Sequence, residues 1–117
     1  MARYQPDAGA LRDRVAFDKR GTVDDGMGNS VAGPFEEQFS VRAELRALRG
    51  SEAVIAGRLE GRNTFGVYVR PSIKTRLITS DWRMRDTRRG TVYAIRTVDA
   101  VTDPLWIYLT VESGVAA

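Results

Sequence analysis

Between Gln38 and Ala47 the chain reads QFSVRAELRA. Phe39, Val41, Ala43, Leu45 and Ala47 fall on one face of an extended segment; Ser40, Arg42, Glu44 and Arg46 fall on the other. Successive side chains alternate across a strand, so this period of two specifies a strand with one dry and one wet face. It is followed by one short helical stretch, Ser51 to Glu60. There Ser51 is suited to cap the N-terminus, Glu52 to meet the helix dipole and Gly61 to end the helix in a left-handed conformation. Ile55 and Leu59 lie four residues apart, and a helix this short is expected to lay that face on a sheet.

Further strands are expected at Arg14–Arg20, with Val15 and Phe17 inward, and at Asn63–Arg70, with Phe65, Val67 and Val69 opposite Tyr68. Asp81–Asp86 should pair with Thr91–Ala100 across the turn Thr87-Arg88-Arg89-Gly90. Leu105–Val111 forms the last strand. The fold class is therefore mainly β: a small six-stranded antiparallel barrel or sandwich with one inserted short helix and a long Gly-rich hairpin loop. Residues 1–13 read as an extended N-terminal arm that Tyr4, Pro6 and Leu11 could pin to a neighbour or to the body. Residues 14–113 read as one domain, and residues 114–117 as a frayed tail.

Composition narrows the chemistry. The 117 residues include no cysteine and no histidine, which removes the commonest neutral-pH proton carrier and the commonest transition-metal ligand. No catalytic motif is present, so no enzyme, cofactor or metal is expected. The sequence also lacks a membrane-length apolar run and a signal-like N-terminus, which points to a soluble protein made in the cytoplasm.

Two clusters remain. The first is Asp24-Asp25-Gly26-Met27-Gly28-Asn29, within a connection read as Gly21 to Pro34. A calcium loop starting at Asp24 would need a closing carboxylate where Phe35 stands, and a phosphate loop would need to join a strand to a helix. A contact loop is the reading left. The second is Arg83, Arg85, Arg88 and Arg89 on one hairpin, with Arg96 on the returning strand. This cluster suits phosphate or an acidic protein surface, or else simply a solvated strand face. Net charge is only +3, and sixteen of the eighteen basic residues are Arg, a bias that codon usage alone would also produce.

The order of these pieces resembles the bacteriophage head–tail joining proteins, the head-closure or stopper family, including their gene transfer agent counterparts. The resemblance runs from about Leu11 to Glu112. It is carried by Leu11-Arg12-Asp13-Arg14-Val15, then Asp25-Gly26 and Gly28, then Phe39-Ser-Val-Arg-Ala-Glu-Leu entering Gly50-Ser51-Glu52. Thr64 to Arg70, Asp81-Trp82-Arg83-Met84, Gly90-Thr-Val-Tyr93-Ala-Ile95 and Leu109-Thr-Val-Glu112 complete it.

The resemblance implies a ring of identical subunits in the neck of a virion or virion-like particle. A portal or adaptor ring would lie on the head side, a tail terminator or tail tube on the tail side, and packaged double-stranded DNA in the channel. The Asp24–Asn29 loop would act as a gate, no membrane would be involved, and synthesis would take place in a bacterial host. The alternatives are a small nucleic-acid-binding barrel or another neck ring, adaptor or terminator.

Overall fold

The chain is described from a computed structural model, which covers residues 4–48 and 52–114. Six strands close into one antiparallel barrel: β1 (Asp13–Asp24), β2 (Ser30–Ala47), β3 (Asn63–Val69), β4 (Arg83–Asp86), β5 (Val92–Asp99) and β6 (Ile107–Ser113). Their order around the barrel is β1-β2-β3-β6-β5-β4. Among the described residues one α-helix, α1 (Glu52–Leu59), joins β2 to β3, and short 3₁₀ turns stand at Ala8–Ala10 and Thr75–Leu77. Of the two architectures expected, the barrel is the one that forms.

The alternating residues fill the interior. Val15 and Phe17 of β1, Phe39 and Ala43 of β2, Val67 and Val69 of β3, and Ile107, Leu109 and Val111 of β6 pack with Trp82, Met84, Tyr93 and Ile95. Phe39 touches both Phe17 and Trp82, with ring centroids 5.4 and 6.0 Å away. On β5 the register shifts between Ile95 and Thr97, so one residue is inserted. That slip lets Val98 pack on the core on which Tyr93 and Ile95 also lie.

Outside the barrel a second cluster joins Leu11, Tyr68 and Trp106, with Tyr108 beside them. It holds the N-terminal segment on the wall. Tyr4 packs edge-on to Tyr68, and its hydroxyl donates to Glu44 at 2.6 Å. Gln5 donates to Asp103 at 2.7 Å, and Pro6 is buried. Tyr4, Pro6 and Leu11 thus pin the segment to the body.

Three expectations change. The connection read as Gly21 to Pro34 is mostly strand: β1 runs to Asp24 and β2 starts at Ser30, leaving Asp25–Asn29 as the turn. The pairs Thr22↔Ala32, Val23↔Val31 and Asp24↔Ser30 carry the ladder outward past the barrel. Glycine and aspartate suggest a loop here, but cross-strand pairing overrides them, and a register shift between Arg20 and Thr22 absorbs the irregularity.

The helix also turns its apolar pair away from the sheet. Ile55 is 48% and Leu59 85% exposed, and α1 instead rests on β3 through its Gly57 side. Gly57 is covered by the side chain of Arg62, the residue that leads into β3. Finally, Leu105 precedes β6 and is exposed. Gly61 has φ 84°, the left-handed helix end expected of it. The proposed cap Ser51 and tail residues 115–117 lie outside the described residues.

Replacing Phe17 by alanine should destabilise the fold by about 3–5 kcal/mol, the usual cost of emptying a buried aromatic site. Leu59→Ala should cost under about 0.5 kcal/mol, as for an exposed position. Urea denaturation of the two variants checks both.

Candidate assembly surfaces

The strand registers sort the loops to two ends of the barrel. At one end lie α1, the β4–β5 turn and the end of β6, because Ala47 pairs with Phe65, Asn63 with Ser113 and Arg85 with Val92. At the other lie the β3–β4 and β5–β6 connections, since Val69 pairs with Ile107 and Asp99 with Tyr108. The β1–β2 hairpin departs from this second end, past the last β1–β4 pair, Asp18↔Arg83. From there to Asp24 it reaches roughly 20 Å, at about 3.3 Å per residue. The molecule accordingly measures 55 × 36 × 27 Å.

The hairpin tip brings Asp24, Asp25, Gly26, Met27, Gly28 and Asn29 together in one ordered turn. Asp24 accepts from the Gly26 N–H at 2.9 Å, Asp25 from the Met27 N–H at 2.7 Å, and the Asp25 N–H donates to the Asn29 carbonyl at 3.0 Å. Gly26 and Gly28 have φ of 83° and 80°, a conformation other residues resist. The Met27 N–H, above all, holds the Asp25 carboxyl below its usual range. The tip is therefore a shaped acidic turn with Met27 projecting from it.

Where the hairpin leaves the barrel, charge ties three strands together. Asp18 is 1% exposed, yet it accepts from Arg83 Nε at 2.6 Å and from Arg85 through Nε at 2.6 Å and Nη2 at 2.9 Å. Arg85 also donates to Glu37 at 2.7 Å. Burial pushes the Asp18 carboxyl up, but the hydrogen bonds from Arg85 and Arg83 outweigh it and hold the group below the ordinary carboxylate range. The same contact to Asp18, followed by that to Glu37, raises Arg85. Phe35 finishes the junction, with the Arg20 and Arg83 guanidiniums 4.5 and 4.4 Å from its ring centre.

The arginine hairpin differs from its sequence reading in one respect. Only Asp81 and Asp86 oppose the cluster locally in sequence, but the fold brings Asp13, Asp18 and Glu37 to it. Arg89 donates to Asp86 at 2.6 Å and to Asp13 at 3.1 Å. Asp86 further accepts from the Arg88 and Arg89 N–H groups, at 2.9 and 3.0 Å. Burial raises the Asp86 carboxyl, and these donors, Arg89 first, bring it below the usual value. Arg83, Arg85 and Arg89 thus serve as cross-strand ties, while the Arg88 side chain stands exposed on the turn.

Sequence reasoning missed Asp18 and Glu37. The alternation that places Arg83 and Arg85 opposite Trp82 and Met84 already required some partner for that face. It also missed the exposed Ile73 and Leu77 of the β3–β4 connection, where Lys74 and Arg76 stand between and beside them. Among the described residues no group of side chains is arranged to hold a metal ion.

The fold and its surfaces define a class: a small closed barrel with one long projecting hairpin and exposed apolar groups at both ends. The family model described as phage head completion protein matches residues 6–114. The chain belongs to that family, which gives it a structural role at the phage head. Among solved structures it is similar to protein SF1141 from Shigella flexneri 2a, with a TM-score of 0.68 and 18% identity, covering 96% of this chain and 100% of the other. It is also similar to a chain of the virion of a native gene transfer agent particle, with a TM-score of 0.65 and 19% identity, covering 97% and 100%. No curated protein sequence matches it.

Asp18→Asn should cost about 1–3 kcal/mol near neutrality, because two arginines lose a charged acceptor. The folded Asp18 and Asp86 carboxyls titrate below their unfolded values. Their stabilisation is therefore present above about pH 4 and is lost as pH falls through the folded values. Thermal melts across that range should show the gap between wild type and Asp18→Asn closing in acid.

Proposed function

We propose that the protein is the head-closure subunit of a tailed-phage-like particle. Copies form a ring that joins the portal or adaptor to the tail and retains the packaged DNA, in a phage or a gene transfer agent. The observation that carries this reading is the pair of unlike exposed surfaces at opposite ends of one closed barrel. A link in a stack of rings needs a head-side face and a tail-side face, and here the hairpin end differs in shape and chemistry from the α1 end. Family membership supports the setting, and the likeness to a chain of a gene transfer agent virion is consistent with it. The role is structural, without catalysis.

The turn from Asp24 to Asn29 is the segment proposed to narrow the channel. It is slim, projects on its own pair of strands and carries two carboxylates. Near DNA such a tip works by occupying space and repelling phosphate. A direct phosphate contact falls best to Arg88, since Arg83, Arg85 and Arg89 would have to surrender carboxylates to bind one. That pairing also disfavours the reading as a free-standing nucleic-acid-binding barrel.

Deleting the gene should leave filled or DNA-leaking heads without tails, seen by electron microscopy; normal tailed particles would refute the proposal. Hydrogen exchange of the free subunit should be fastest at residues 25–29 and slowest in the β2 segment 39–47. Strong protection of the turn would count against a movable gate.

A further inference from the structure

Two exposed patches at the hairpin end match each other. The first is the tip: Met27 is 84% exposed, flanked by the exposed Val23 and Val31, and its charges are Asp24 and Asp25 with no base between residues 23 and 31. The second is the β3–β4 connection: Ile73 is 85% exposed, Leu77 four residues on is exposed too, and residues 70–77 carry Arg70, Lys74 and Arg76 with no acid. No described carboxylate pairs with Lys74 or Arg76.

Both patches are held in shape before any contact. The tip is fixed by its aspartate-capped turn. The platform is fixed by buried Thr75, whose hydroxyl donates to the Arg70 carbonyl at 2.8 Å and accepts from the Ser72 N–H at 2.8 Å. Surfaces that are already ordered lose little conformational freedom on docking.

We propose that the acidic, methionine-bearing hairpin tip of one copy docks on the basic, apolar 70–77 platform of the next copy. This rests on the ring reading above and names its subunit contact; the channel is then narrowed by tips seated on their neighbours rather than by free ones. Charge decides the polarity. Tip against tip sets carboxylate on carboxylate, and platform against platform sets cation on cation, whereas tip against platform pairs opposite charges around an apolar centre. Such a contact is head to tail, so it either closes or propagates. The α1 end, with Ile55 and Leu59, is left free for a different ring.

The chain has no cysteine, so introduced thiols report the contact cleanly. Met27→Cys and Ile73→Cys are made singly and together, then oxidised mildly in the purified protein and in assembled particles. The double variant should give a ladder of disulfide-linked multimers in at least one of these settings. An equimolar mixture of the single variants should give the mixed dimer well above either homodimer. Adding Lys74→Glu and Arg76→Glu to the double variant should cut the ladder about tenfold, and adding Asp24→Lys and Asp25→Lys as well should restore it. Absence of a ladder in both settings, a self-closed monomer, dominant homodimers, linkage to a different protein, or indifference to charge reversal would overturn the contact. Tail joining in the gene-deletion experiment tests the ring reading separately, so particles with a normal neck and no ladder would sink this contact alone.

Discussion

The structure turns on the carboxylate of Asp18. It sits where β1 stops pairing with β4 and continues alone with β2 into the hairpin, and a register slip occurs at that same step, between Phe17 and Asp18. A strand pair leaving a barrel there could swing, because its outer edges have no neighbour. Two arginines from β4 converge on the one buried acid, and one of them reaches on to Glu37 of β2. Three strands are thereby fixed at the point of departure. Phe35 then adds an apolar plate over which Arg20 and Arg83 lie. The hairpin's direction is set by these contacts, and everything proposed for its tip depends on that direction.

The interior was legible and the boundaries were not. Alternation alone identified Phe39 and Ala43 as part of the dry face and Tyr68 as opposite Val67 and Val69, since a buried face imposes its period on the sequence. It could not see that Gly21 to Asp24 and Ser30 to Pro34 pair with each other. A two-stranded ladder with both faces in water has no apolar period to read, and its glycines and aspartates look like loop residues. The helix misled for a related reason. Ile55 and Leu59 have the spacing of a buried face, yet the side of the helix turned inward is that of Gly57, covered by Arg62. An apolar pair left outside by its own fold has the spacing of a buried one, and sequence period cannot distinguish the two.

The candidate site was legible as a set of residues but not as an arrangement. Asp24 to Asn29 was found because turn chemistry is local: the bonds that shape it run between neighbours in the chain. Arg83, Arg85, Arg88 and Arg89 were found as a cluster, but their partners Asp13, Asp18 and Glu37 come from β1 and β2, far away in sequence. Only closure of the barrel brings them together.

That closure bears on how the protein, in the neck role proposed for it, would meet DNA. An arginine already paired with a buried carboxylate reaches a phosphate only by abandoning an acid that would then stand unpaired, at a cost comparable to what the phosphate contact returns. The arginine hairpin built this way spends most of its positive charge internally. The exposed hairpin end that remains carries carboxylates at its furthest point, and over distances within about 10 Å at moderate salt those repel a DNA backbone. A tip of this kind blocks without adhering. For the channel proposed above, which would first hold a packed genome and later release it, steric closure with a surface that does not bind phosphate would avoid the drag of a row of phosphate-binding arginines. The internal pairing of Arg83, Arg85 and Arg89 and the acidity of Asp24 and Asp25 are then two sides of one arrangement: cations turned inward to hold the hairpin's root, and anions turned outward that would keep its tip from sticking to DNA.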